Sequence, residues 1–452
     1  MDLLDAAAIL LVLAAFFGFI NHHYFKLPFT IGLLLSGLFA SMGVLLVDSL
    51  VPSWNLAAVV RGAVLSIDFA EAVLSGMLSL LLFAGSLHTD LSLLRKRLST
   101  ILSLASVGVL ISTTVAGLLA HALFGAFGVE LPLVWCFVFG ALISPTDPIA
   151  VLGIMKAAGA PKHLEIKVIG ESLFNDGTAV VVFTVLVGIA VAMGTGSSHA
   201  TGEAMDAARV ALLLAQEVLG GLALGLAFGW ICYRALRTLD EASLEILISV
   251  ATVFGLAFTA SKLHVSAPLA AVVAGLFIGN QGRATAMSPR TIRDLDIVWT
   301  FIDETLNALL FLLIGLEVLA IDYSKTSYLY AAACLVPGVL FARFVGVALP
   351  VVALRMRQTI DAGTVRVLTW GGLKGGISVA LAMKLPEFDG RNALLTVTYV
   401  IVVFSIVVQG LTVGPLIKRV VPTMPDDGID DEAPPSHDGA EAPPAEAAPP
   451  SA

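Results

Sequence analysis

Charge is scarce in this chain. Lys, Arg, Asp and Glu make up 13% of its 452 residues, against about 25% in a soluble globular protein. With 58% of residues hydrophobic, that shortage excludes an ordinary soluble enzyme or binding module and indicates a polytopic membrane protein. Positive charge is scarcer than negative: 25 Lys and Arg stand against 34 Asp and Glu, a net of −9. A nucleic-acid partner therefore has no electrostatic footing. Cysteine is rare as well. Cys136, Cys232 and Cys334 each lie inside an apolar run, so they read as small core residues and imply no disulfide framework. The opening MDLLDAAAILLVLAAFFGFI lacks the basic n-region of a cleaved signal and carries acids instead, so it is expected to be a retained first helix.

What the chain does have is long apolar runs. They predict about thirteen transmembrane helices in an all-α polytopic fold: approximately 4–22, 29–48, 66–88, 99–125, 131–156, 164–194, 210–236, 242–262, 266–282, 296–320, 327–353, 364–385 and 391–417. Loop charge tests this count. Loops after odd-numbered spans hold 17 Lys and Arg, and the opposite side holds six. The positive-inside rule then puts the odd loops and the C-terminus in the cytoplasm and the N-terminus outside; the expected host is the cell (plasma) inner membrane. Residues 1–421 form the membrane domain. From Pro422 onward the composition turns to Pro, Ala, Asp and Glu; this 422–452 segment, with eight acids, is expected to be a disordered acidic cytoplasmic tail. The polar 195–209 loop divides the spans six and seven, the arrangement that inverted six-helix repeats would leave.

Residues 164–194, LEIKVIGESLFNDGTAVVVFTVLVGIAVAMG, set Glu171, Ser172, Asn175 and Asp176 inside a membrane-length run. At about 1.5 Å per residue Asp176 lies roughly 18 Å along it, near the bilayer midplane. A carboxylate there is costly against lipid, so it is expected to face inward and to be functional. Ser172 and Asp176 fall about 40° apart on one helical face, and Glu171 about 140° from Asp176. Asp176 with Ser172 thus makes an oxygen-rich half-site for a hard cation. Glu171 needs a different partner, and Arg343, a cation within the 327–353 span, is the candidate for a buried structural pair.

Two spans are expected to break. In Ser144-Pro145-Thr146-Asp147-Pro148, neither proline can donate a hydrogen bond and each clashes with the turn before it. The freed carbonyls, the Thr146 hydroxyl and the Asp147 carboxylate should then face the protein interior. In Gly371-Gly372-Leu373-Lys374-Gly375-Gly376, four glycines weaken the helix around a lysine. That lysine needs a carboxylate or helix C-terminal carbonyls. The breaks fall in spans five and twelve, which correspond when spans one to six mirror eight to thirteen, as in a transporter site built from discontinuous helices. Intramembrane charge is expected to be confined to spans five, six, eleven and twelve.

Gly170-Glu171-Ser172-Leu173-Phe174-Asn175-Asp176 resembles the GES-x-x-ND signature of monovalent cation:proton antiporters, the family of bacterial NhaP-type proteins and animal sodium/proton exchangers. SPTDP at 144–148, FLLIGLE at 311–317, FARFVGV around Arg343 and WGGLKGGISVALA at 370–382 resemble further family blocks in the expected order, covering about residues 5–420. The resemblance implies that Asp176 holds a cation and a proton in turn, with ligands from Ser172 and the Thr146 main chain. It marks Asn175 as the sign of an electroneutral branch, Glu171–Arg343 as a structural ion pair, and Asp147 and Lys374 as the charges at the helix crossing. It implies a mobile core (about 66–194 and 296–420), a dimerisation part from the remaining spans, a homodimer, no enzyme activity, and no cofactor beyond the transported Na+, Li+ or K+ and H+. One position departs from the family: Ala84 stands where many relatives carry an acid. Asp68 and Glu71, three residues apart in the same span, could share a face.

Proton and cation are expected to compete for one carboxylate, because only a neutralised site crosses an apolar barrier cheaply. No histidine cluster offers a separate pH sensor; among the eight, His163 near the cytoplasmic end is the one candidate. Two other classes stay open at this point. A cation channel would need a continuous polar path, and an intramembrane aspartyl enzyme would need two acids close together, for which Asp147 and Asp176 are the candidates.

Overall fold

The computed structural model describes residues 3–65, 72–194, 207–320, 325–355 and 362–420, and among them every regular element is helical. Asp68, Glu71, most of the 195–209 loop and the 422–452 tail lie outside the described residues. The chain runs through α1 (Leu3–Ile20), α2 (Phe29–Leu50), α3 (Leu56–Leu65), α4 (Leu78–Leu87), α5 (Val109–Ala126), α6 (Leu133–Ile143), α7 (Ile149–Ala157) and α8 (Lys162–Ala192). It continues through α9 (Ala207–Leu236), α10 (Ala242–Leu263), α11 (Ala267–Phe277), α12 (Pro289–Leu316), α13 (Thr326–Arg355), α14 (Ala362–Trp370), α15 (Gly376–Met383), α16 (Arg391–Phe404) and α17 (Gly410–Val420).

Nine helical stretches among the described residues are long and apolar enough to cross a membrane, and shorter apolar helices at Leu78–Leu87 and Leu133–Ile143 supply parts of further spans. Each of the thirteen expected spans finds helix at its place. The ten-residue α3 was not expected; it fills the gap before the third span. The burial pattern is that of a protein solvated by lipid. Phe16, Phe19, Trp230, Phe254 and Phe258 point outward, while Trp135, Phe139 and Phe311 are fully enclosed.

Both expected breaks are present. The fifth span stops at Ile143 and resumes at Ile149, because Pro145 and Pro148 withdraw two donors from the ladder. The twelfth stops at Trp370 and resumes at Gly376. The two non-helical segments cross, and the Asp147 amide donates to the Leu373 carbonyl at 2.8 Å. Backbone groups released at membrane depth must find partners in the protein. The last span provides two of them from a π turn at Ser405–Gln409, a distortion common at functional sites. Ser405 Oγ accepts from the Lys374 amide at 2.9 Å, and Gln409 Nε2 donates to the Trp370 carbonyl at 2.9 Å. Gly375 makes the crossing possible: a Cβ there would lie 2.7 Å from both Cβ and Oδ2 of Asp147.

Candidate cation site

Asp176 sits midway along α8 and is 4% exposed. Its buried Oδ1 accepts no hydrogen bond among the described residues. A buried carboxylate oxygen left unpaired costs free energy, and this one lies on the wall of a cavity of about 580 Å³. The inner end of that cavity is formed by Thr146, Asp147, Asp176, Gly375 and Gly376, hence by both breaks and the middle of α8. Exposed residues, among them Gly85, His88, Lys156 and Glu304, form its rim.

Around Asp176 the polar groups of α8 divide between two tasks. Ser172, one turn earlier and 2% exposed, shares a hydrogen bond with Thr146 Oγ1 at 3.0 Å. Asn175 ties the break to the neighbouring ion pair: its Nδ2 donates to Thr146 Oγ1 at 2.7 Å and to Glu171 Oε1 at 2.8 Å, and the Thr146 amide donates to its Oδ1 at 3.4 Å. Glu171 faces away from the cavity toward α13. Arg343 grips it with two parallel bonds, Nη1 to Oε1 and Nη2 to Oε2, both 2.7 Å. Nε and Nη2 of Arg343 also reach the Leu368 carbonyl at 3.3 and 3.1 Å. Such fork geometry is specific to arginine.

The crossing is charge-balanced by two side chains. Lys374 is 3% exposed, and its Nζ donates to the carbonyls of Ser144 at 3.1 Å and Pro145 at 3.3 Å, the residues that end α6. It therefore neutralises the negative end of that half-helix. Asp147, half-buried, lies against Gly375 at the positive end of α15. The Ser144 and Pro145 carbonyls, expected to face the interior as free oxygens, are thus taken up by the lysine. What the crossing turns toward the cavity is Thr146 and Asp147.

The structure brings Asp176, Ser172, Thr146, Asn175 and Asp147 together, and sets Glu171 and Arg343 one layer behind. Ala84 is completely buried and does not line the cavity. The expectation that intramembrane charge is confined to four spans is overturned. Asp303 and Glu304 of α12 line the same cavity; Glu245, buried with Oε1 accepting from Thr291 Oγ1 at 3.2 Å, stands in the first turn of α10 at the end of its span. A signal for the first two was present: Thr300, Asp303, Glu304 and Asn307 recur at i, i+3, i+4 and i+7, a polar stripe on an apolar helix. Among the described residues, no three His, Cys, Asp or Glu side chains converge as a resident metal site would require.

Comparison with known proteins places this geometry. A family model described as "Sodium/hydrogen exchanger, transmembrane" matches residues 11–419. The chain is 44% identical over 432 residues to the Na(+)/H(+) antiporter NhaP of Pseudomonas aeruginosa, covering 94% of this chain and 98% of that protein. It is 35% identical to the Na(+)/H(+) antiporter NhaH of Halobacillus dabanensis, covering 78% and 84%. In fold it resembles the sodium proton antiporter MjNhaP1 of Methanocaldococcus jannaschii, with a TM-score of 0.73 at 19% identity, covering 93% of this chain and all of that one.

Proposed function

Because the chain belongs to the sodium/hydrogen exchanger family, we propose that it exchanges a monovalent cation, Na+ first and Li+ or K+ as alternatives, for H+ across the plasma membrane. Asp176 is the shared carrier group in this reading. The observation that carries it is the unpaired, buried Asp176 oxygen at the floor of a cavity between two broken helices. A carboxylate so placed needs a counter-charge. Supplied with a proton it is neutral, and supplied with Na+ it is a neutral pair. Ser172 and Thr146 hold oxygens beside it, and Asn175 orients Thr146. These are hard oxygen ligands of the sort that suit an alkali cation.

Transport follows if the core spans (about 66–194 and 296–420) move past the remaining spans, so that Asp176 meets one side and then the other. An empty, charged Asp176 would cross the apolar barrier at high cost, which couples the two ions one for one and makes the exchange electroneutral. Lys374 and Asp147 stay with the crossing throughout and carry no net charge across. Support for a cytoplasm-facing cavity comes from its rim residues His88 and Lys156, which lie beside the loops rich in Lys and Arg. The outward aromatic faces of α9 and α10 leave room for a second copy, so a homodimer belongs to the same reading.

The test is proton movement in proteoliposomes with Na+, Li+ and K+ supplied in turn, with and without a clamped membrane potential. Cation-driven proton efflux that the clamp leaves unchanged is the expected result. Proton flux that follows the potential without an opposing cation would point to a channel instead.

A further inference from the structure

The polar stripe of α12 is not used by the mechanism above. Thr300, Asp303, Glu304 and Asn307 share one face and all line the cavity, along about 10 Å of helix. The stripe begins at exposed Thr300 and ends at Asn307, which is 2% exposed; one turn further on, Leu310 packs where Gly376 opens α15. It therefore leads from the rim to the crossing.

Asn307 is the informative residue. Its Nδ2 donates to the Asp303 carbonyl at 2.8 Å and to Asp303 Oδ1 at 3.2 Å. Both donations fix the amide plane and leave Oδ1 buried with no hydrogen-bond partner. An acceptor held without a donor beside a carboxylate is a poor arrangement for packing alone. It is a suitable one for a cation, which accepts lone pairs from both. Asp147 lies within electrostatic reach of Asp303 across the cavity, so two acids face one space and a cation between rim and crossing relieves their repulsion.

We propose that Asp303 and Asn307 form a second, weaker station for an alkali cation, which a monovalent ion occupies before it reaches Asp176. The ligands are the Asp303 carboxylate and Asn307 Oδ1, with water completing the shell because half-buried Asp303 remains wet. The station rests on the antiport reading, since it serves as an approach to Asp176. Its effect is on capture: the site raises local cation occupancy while leaving the carrier step unchanged.

Na+ binding to the purified full chain and Na+/H+ exchange in proteoliposomes test this together, on Asp176→Asn, Asp303→Asn, Asn307→Ala and the Asp176→Asn/Asp303→Asn pair. Asp176→Asn should lose exchange yet keep weak Na+ binding, and the double variant should bind none. Asp303→Asn and Asn307→Ala should each raise the Na+ KM about fivefold at unchanged maximal rate, the size of losing one cation–oxygen contact in a wet cavity. The rise should persist in excess choline chloride; a rise that choline removes is a long-range field effect and overturns the station. It is equally overturned if folded Asp176→Asn binds no Na+, or if both single variants keep the wild-type KM. Exchange surviving in Asp176→Asn would instead refute the carrier assignment. Should one stripe variant fail to fold, the other position decides.

Discussion

Removing Arg343 tests whether the charge behind the candidate site is structural. Arg343→Met keeps the volume and deletes four hydrogen bonds, two to Glu171 and two to the Leu368 carbonyl. Glu171 is 1% exposed and would retain only the Asn175 amide as a donor. Breaking one side of a buried pair costs about 3–5 kcal/mol, because an uncompensated charge is left in an apolar surrounding. The orphaned Leu368 carbonyl adds about 1 kcal/mol. Replacing both partners removes the orphan charge, and such swaps are often nearly neutral. Arg343→Met should therefore melt several degrees below wild type in detergent, followed by size exclusion after heating, and Glu171→Met/Arg343→Met should recover most of the loss. The sign of the coupling is the decisive quantity. A wild-type melting curve for Arg343→Met, or a double variant as unstable as the two single losses combined, would refute the structural pair.

Other perturbations separate carrier from scaffold. Asp176→Asn should abolish exchange with melting unchanged, since its Oδ1 has no bond to lose; retained Na+-dependent proton flux contradicts it. If proton and Na+ compete for Asp176, the apparent Na+ KM should rise about tenfold for each unit that pH falls in the acidic range, at constant maximal rate. A falling maximal rate at fixed KM would show a separate sensor. Lys374→Met should lower both exchange and stability by exposing the α6 carbonyl end, and Lys374→Arg should restore part of each, as measured by flux and melting. Gly375→Ala forces a methyl to 2.7 Å from Asp147 and should cost about 1–3 kcal/mol, read by the same melting assay.

The breaks were legible because proline and glycine act locally. Pro145 and Pro148 remove donors wherever they stand, and four glycines around Lys374 weaken any helix, so neither signal needed tertiary information. The helical angle between Glu171 and Asp176 was likewise a local fact, and it does send the two acids to different neighbours. What Lys374 binds was not legible in full. A lysine at that depth called for a carboxylate or carbonyls, and only the crossing angle selects Ser144 and Pro145. The α12 stripe was missed for a different reason. The apolar run places the start of the tenth span at residue 296, whereas the helix begins at Pro289 with Ser288 accepting from the Thr291 amide as its cap. Two added turns move Asp303 from near an expected end to the middle of a long helix. The unexpected α3 is a short amphipathic piece, below the length that marks a span.

In the antiport reading proposed above, the arrangement of charges lets a single acid serve as carrier. Lys374 faces the negative end of one half-helix and Asp147 the positive end of the other, so each break carries its own compensation. Glu171 is neutralised by Arg343. After these pairings, the buried acid of the crossing region with an oxygen left open to the cavity is Asp176. Had Lys374 paired with Asp176 directly, the cation would have to displace a fixed ammonium, and exchange would demand breaking a buried salt bridge in every cycle. Here the lysine is committed to main-chain carbonyls, and the counter-charge for Asp176 must come from solution. In the proposed exchange, a site that is neutral only when loaded would move only when loaded, and tight coupling of cation to proton would then follow without a further gate.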